Sequence, residues 1–383
     1  MPKEETMFLE TMKEAQAYFS TRERGIVHTE EQLKETLELL TNAKRLPPHR
    51  HEYLMKEALT TSDFPYLFGD VLDRSVLAAW KAVDPVWKVF VRHATVPRIY
   101  PQIGARRFAI TGGDQHLDEV PEKGEYQASE RDEHLDNIYV RKYGRQFDIS
   151  WEAFVNDDIG ALNDTAERFA RAAVRTEHRL VTGTYAGDIG THAGGNLYQN
   201  AINEDVLALT IGNLETCVER MRAFTDLNGE PILNRPKFLV VGPALEFTAR
   251  QILTSTTKMW LSDTDDVTPP AAYPMTNVIS QYGLVLVVDD YLPVLDASYP
   301  GSWYLFSDPN DIAAMEFDRL RGHETPEICM KASDKVSIGG GAITPFSGDF
   351  ATDNVFYRVR DVCGCNKLVT GGGWRGTYCN QHA

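Results

Sequence analysis

The period of the chain changes at Phe147-Asp-Ile-Ser-Trp-Glu-Ala-Phe-Val-Asn-Asp-Asp158. On entering this stretch, Phe147, Ile149 and Trp151 alternate with polar neighbours, the two-residue repeat of a half-buried strand. On leaving it, Leu162, Ala166, Phe169, Ala173, Thr176 and Leu180 recur at three- and four-residue spacing, as on an amphipathic helix. Arg168, Arg171, Arg175 and Arg179 form a second stripe on the same helix. One face is built to pack and the other is basic. Gly183 to Gly195, with five glycines, is expected to end the helix.

Upstream, the two-residue period extends back to Thr95. Phe108 and Ile110 alternate with Arg107 and Ala109, and Ile138 and Val140 with Tyr139 and Arg141, so two extended arms flank a loop. That loop, Thr111 to Asp136, holds nine acidic residues against Lys123 and Arg131, with Gly112-Gly113, Pro121 and Gly124 as breakers. It cannot bury a core of its own, and an exposed charged hairpin of this length needs a surface to lie on. Further upstream, Thr29 and Gln32 fit a capping box ahead of Leu33, Leu37 and Leu40. A second helix is expected from Ser62-Asp63 through Phe68, Leu72, Val76 and Ala79 to Pro85.

Downstream, a helix is expected from about Glu204 to Phe224, carrying Leu214, Val218 and Met221. Phe238 to Val241 and Leu284 to Val288 are continuous apolar runs of the kind found in strands covered on both faces, with a helix from about Ala244 to Leu253 between them. After Gly339-Gly340-Gly341, Val355, Tyr357 and Val359 alternate with Phe356, Arg358 and Arg360 in a late strand. The fold class is α+β, and no internal repeat is visible.

Composition limits the function classes. With 383 residues, 43% hydrophobic and 25% charged, the chain is long enough for two or three folded units, and overall disorder is excluded. Its 39 Lys and Arg against 55 Asp and Glu give a net charge of −16, incompatible with coating a nucleic acid by phosphate neutralisation. No run approaches the roughly 18 apolar residues of a membrane span, and Met1 to Phe8 lacks a signal-peptide core, which predicts synthesis in the cytoplasm.

Catalytic motifs are missing. Neither a dinucleotide fingerprint nor a phosphate loop follows Phe238 to Pro243, there is no nucleophile elbow, and His51-Glu52 lacks a second histidine. His49 and His51 read as surface linker residues, Asp289-Asp290 as a solvated turn, and Cys217 and Cys329 as small core residues. Cys363, Cys365, Cys379 and His382 form C-x-C-x13-C-x2-H, a thiolate and imidazole set suited to tetrahedral zinc. An oxidised pair or free thiols fit the same spacing. The chemical alternative is therefore a zinc-containing α/β enzyme or binding protein using this cluster; a soluble oligomeric scaffold is a third reading.

The order of elements, with Phe147 to Asp158 entering the helix, Ala170-Arg-Ala-Ala-Val-Arg-Thr-Glu177 within it and Asn354-Val-Phe-Tyr-Arg-Val-Arg-Asp361 as the late strand, resembles the major capsid proteins of tailed bacteriophages with the Hong Kong 97-type fold, in the branch with Mu-like heads. The resemblance runs from about Leu59 to Asp361. It implies a helical N-terminal extension (1–60), an N-arm (61–94), an E-loop hairpin (95–150), a P-domain with a long spine helix (151–203 and 330–362) and an α/β A-domain (204–329). The Cys- and Gly-rich tail (363–383) has no counterpart in that pattern.

The resemblance implies a structural protein without catalytic residues, cofactor or metal. It would assemble through hexamers and pentamers into an icosahedral head shell around double-stranded DNA, touching the DNA without specific binding, with no membrane contact. Portal, scaffold, protease and decoration proteins are the implied further partners. Assembly would take place in the host cytoplasm and the product would be the virion. Glu122, Glu125 and Glu130 on the loop are the candidate contacts to a neighbouring subunit, with Arg106, Arg107, Arg168, Arg171, Arg175 and Arg179 as their candidate partners.

Overall fold

The computed structural model describes residues 80, 85–99, 102–108, 119–126, 133–150, 159–186, 197–198, 202–225, 229–261, 272–297, 299–335, 348–368 and 372–380. The readings for residues 1–60, for most of 61–94, and for Gly339 to Gly341, Glu130 and His382 lie outside the described residues.

Strands β1 (Arg92–Val96), β2 (Gln102–Phe108), β3 (Glu133–Ile138) and β4 (Arg141–Ile149) precede the long helix α1 (Ile159–Ala186). Then come β5 (Glu204–Asp205), α2 (Ile211–Arg222), β6 (Pro236–Val241), α3 (Glu246–Thr254), β7 (Thr257–Leu261) and β8 (Ala272–Thr276). The short helix α4 (Ile279–Tyr282), β9 (Val285–Val288), α5 (Leu292–Leu295), β10 (Trp303–Ser307) and β11 (Met315–Leu320) follow. Strands β12 (Glu327–Met330), β13 (Val355–Lys367) and β14 (Thr377–Asn380) complete the chain. The helix expected from Glu204 starts only at Ile211, where the Thr210 hydroxyl accepts the Asn213 N–H at 3.2 Å and caps it. Helix α1 continues past Gly183 to Ala186, because its last turns are buried and packing outweighs the weak helix propensity of one glycine.

The chain forms two compact units, and both α1 and β13 pass from one to the other. The smaller is built on Arg141–Thr176 and Gly322–Cys363. In it, β13 lies between β4 and β12, antiparallel to both. The alternation read from sequence holds here: Val355, Tyr357 and Val359 are buried, while Arg358 is exposed. Phe147 of β4 stacks on Tyr357 at 5.0 Å and on Phe169 of α1 at 4.7 Å, fixing helix to sheet. Residues 141–149, read as part of the hairpin arm, instead pair with β13 over nine positions, from Ile149 opposite Val355 to Arg141 opposite Cys363. Alternation identifies a strand but not its partner.

The larger unit comprises Pro85–Val140, Glu177–Arg321 and Gly364–Ala383. Its main sheet has the order β5-β14-β10-β6-β9, with β6 parallel to β9 and antiparallel to β10. Leu239, Val241, Trp303 and Leu305 face Leu214, Cys217 and Met221 of α2 and Ala249 and Ile252 of α3. The alternate residues of β10, Tyr304 and Phe306, pack on Tyr185 of α1, and Phe306 also stacks on Phe90. Cover on both faces is why Phe238 to Val241 reads as an unbroken apolar run. The segment read as a separate tail is built into this sheet: β14 sits between β5 and β10, with Tyr378 and Cys379 in the core.

Candidate functional site

Strands β2 and β3 form a two-stranded antiparallel sheet, pairing from Gln102 opposite Ile138 to Phe108 opposite Glu133. Among the described residues no further strand joins it. Arg106 and Arg107 stand opposite Leu135 and His134 in this ladder. Between the strands, Pro121 to Gly124 makes a turn in which the Gly124 N–H donates to the Pro121 carbonyl at 2.8 Å. Glu122 and Glu125 are exposed on it and make no ion pair among the described residues, and Tyr126 is 87% exposed.

The base of the hairpin is held by the C-terminal segment. The Tyr139 N–H donates to Asn366 Oδ1 at 3.0 Å, while Asn366 Nδ2 donates to the Tyr139 carbonyl at 3.1 Å and to Asp318 Oδ2 at 2.9 Å. Gly364 lies against the same peptide, where a Cβ would come within 2.0 Å of the Tyr139 oxygen. The glycine of Cys363-Gly-Cys365 is thus dictated by close backbone approach.

Arg168, Arg171 and Arg175 are exposed along α1 in the smaller unit, three and four residues apart and therefore on one face; Arg179 is exposed on the part of α1 in the larger unit. Cys363, Cys365 and Cys379 are buried and carry no disulfide. Burial pushes the Cys365 thiol up to about 12 and the Cys379 thiol well above its ordinary value. Among the described residues no group of three or more His, Cys, Asp and Glu side chains is arranged to hold a metal ion. Cys363, Cys365 and Cys379, for which zinc ligation, an oxidised pair and free thiols were all open, are buried free thiols in the core, and His382 lies outside the described residues.

Asp289, in a pair whose position after a strand predicts a solvated turn, is instead buried. Its Oδ2 accepts the Thr182 hydroxyl at 2.6 Å and the Tyr185 hydroxyl; its Oδ1 faces His178 Nε2 at 2.9 Å and accepts the Tyr291 N–H at 2.8 Å. Burial alone would raise this carboxyl, but the contacts with His178, Thr182 and Tyr185 outweigh it and hold it below the ordinary carboxylate value. With its acceptor positions occupied, Asp289 has no capacity left for a substrate. It is a structural knot between α1 and the end of β9. Spacing could not have found it, because the Thr182 and Tyr185 side chains that hold it lie more than a hundred residues away.

A comparison with curated protein sequences finds no match. Among solved structures the chain is similar to one from Gordonia phage Cozz at 14% identity and TM-score 0.45, covering 76% of this chain and 84% of that one. It is also similar to the virus-like particle of Pyrococcus furiosus (10%, TM-score 0.42, 82% and 99%) and to the SrpI encapsulin of Synechococcus elongatus (10%, TM-score 0.42, 79% and 88%). A family model described as phage capsid protein matches residues 136–380, a range that takes in β14 and the three tail cysteines, which the sequence reading left outside the family pattern. With nearly two thirds of its length matched, the chain belongs to the phage capsid proteins and is a structural component of the virion, the major subunit of the head shell rather than an enzyme.

Proposed function

We propose that this chain is a Hong Kong 97-type subunit of the branch with Mu-like heads, and that its β2–β3 hairpin is the arm by which one subunit holds the next. The carrying observation is the hairpin itself: a two-stranded sheet joined by no other described strand, bearing an exposed acidic turn. A two-stranded sheet is marginal in water unless it is covered. In a shell the cover is a neighbouring subunit, and the exposed Arg168, Arg171 and Arg175 offer the opposite charge. In this reading the hairpin is the E-loop, residues 61–94 are the N-arm, residues 151–203 and 330–362 are the P-domain, and residues 204–329 are the A-domain. The Asn366 and Gly364 contacts then serve to set the angle at which the hairpin leaves the subunit.

Hexamers and pentamers of such subunits would enclose the genome, with the net charge of −16 keeping the inner surface from adhering tightly to DNA. Portal, scaffold, protease and decoration proteins are the partner classes this shell would engage. Negative-stain microscopy and sedimentation of the expressed chain test the proposal. Uniform closed shells or capsomer rings are expected, and a stable monomer under assembly conditions would overturn it.

A further inference from the structure

The larger unit carries an apolar groove and an apolar knob at opposite ends of one pair of strands. The groove, of about 530 Å³, lies between α2 and α4. Val218 and Ile279 form its floor, Tyr282 a wall whose hydroxyl has no hydrogen-bond partner among the described residues, and Val278 a lip that is 61% exposed. Glu219 and Arg222 stand on its rim, both exposed. The knob is Phe247 in the first turn of α3, 81% exposed. Val294 of α5 is also exposed, at 66%.

The topology separates the two. Parallel strands β6 and β9 both run toward the knob end, where β6 leads into α3 and β9 into α5. Helix α3 runs back to the groove end, where the Asn277 side chain donates to the carbonyls of Ile252 at 2.7 Å and Ser255 at 3.0 Å just before α4 begins. A knob and a groove at opposite ends of one unit suit a head-to-tail contact between copies, the type of contact that closes into a ring. Charge agrees. Glu246 and Arg250, an ion pair flanking Phe247, can meet Arg222 and Glu219 on the groove rim of the next copy.

We infer that copies of this chain dock head to tail within a capsomer, with Phe247 of one copy seated in the α2–α4 groove of the next. This rests on the shell-forming reading above and names the surfaces that make the ring.

Disulfide trapping in the full-length chain tests it. Particles of the double variant Phe247→Cys with Val278→Cys, oxidised and run without reductant, should give a ladder ending at five and six linked copies. Each single variant and the parent chain should stay unlinked. Shells without a ladder overturn this contact and leave the shell reading intact; absence of shells from the parent chain removes both. A charge swap keeps the question open to disproof should the cysteine variant not fold. Glu219→Arg and Arg250→Glu should each cut ring yield at least tenfold, and together they should restore it; normal yield from both singles, or no rescue, overturns the contact.

Discussion

His178 Nε2 of α1 lies 2.9 Å from Asp289 Oδ1 at the end of β9, a buried ion-pair geometry completed by the Thr182 and Tyr185 hydroxyls on the other carboxylate oxygen. Because the folded state holds this carboxyl below its ordinary value, the stabilisation is present above the unfolded pKa and is lost as pH falls through the lower, folded one. The acid limb of the stability curve should therefore steepen from about pH 4 downward. Asp289→Asn should cost about 1–3 kcal/mol near neutral pH and flatten that limb. Urea melts of both proteins across pH 2.5 to 7 check this; parallel curves would contradict it.

The same cluster shows what the sequence left hidden. The first half of β13, Val355 to Arg360, was legible because one face is buried and the other is not, so Val355, Tyr357 and Val359 stand out against Arg358; from Asp361 to Asn366 every residue is buried and the alternation is lost. Phe238 to Val241 was legible as a run because helices and aromatic side chains cover both faces of its sheet. Asp289 was not, since an acidic pair after a strand ordinarily ends in water and nothing local signals donors arriving from a distant helix. The tail failed for a related reason. Cysteine spacing suggested ligands, whereas the residue that decides the local structure is Gly364, whose constraint comes from Tyr139 far upstream.

The Tyr139 contacts predict a separable effect on the hairpin. Asn366→Ala leaves the Tyr139 N–H and carbonyl without their partner and should cost about 1–3 kcal/mol. Gly364→Ala forces a Cβ into the Tyr139 oxygen and should cost a similar amount through backbone displacement. In both variants hydrogen exchange at the Tyr139 amide should accelerate while amides of β6 and β10 stay protected. Unchanged exchange at Tyr139 would show that the hairpin base is held by something else.

Burial makes a prediction about the thiols. Cys217, Cys363, Cys365 and Cys379 are fully buried, and burial pushes Cys217 up to about 11 and Cys365 up to about 12. Only Cys329 is partly accessible. A thiol reagent at pH 8 should therefore modify one cysteine rapidly in the folded protein and all five after denaturation. Purified protein should carry less than about 0.1 equivalents of zinc. Stoichiometric zinc together with protection of the tail cysteines would revive the metal reading.

The hairpin turn tests the proposed contact between subunits. Glu122 and Glu125 are exposed and make no ion pair among the described residues, so reversing the two to Lys should change subunit stability by no more than about 0.5 kcal/mol. If the turn docks on the arginine stripe of a neighbour, the same two changes set like charges against Arg168, Arg171 and Arg175 and should abolish shells while leaving the thermal melt of the free subunit unchanged. Attraction between surface charges is screened beyond roughly 10 Å at 0.1 M salt, so assembly of the parent chain should also weaken as salt rises. Reversing the three arginines to Glu in the same background should restore assembly, because each repulsive pair becomes attractive again. Normal shells from the acidic-residue variant would remove electrostatic docking, and failure of the double reversal to rescue would move the docking surface away from α1.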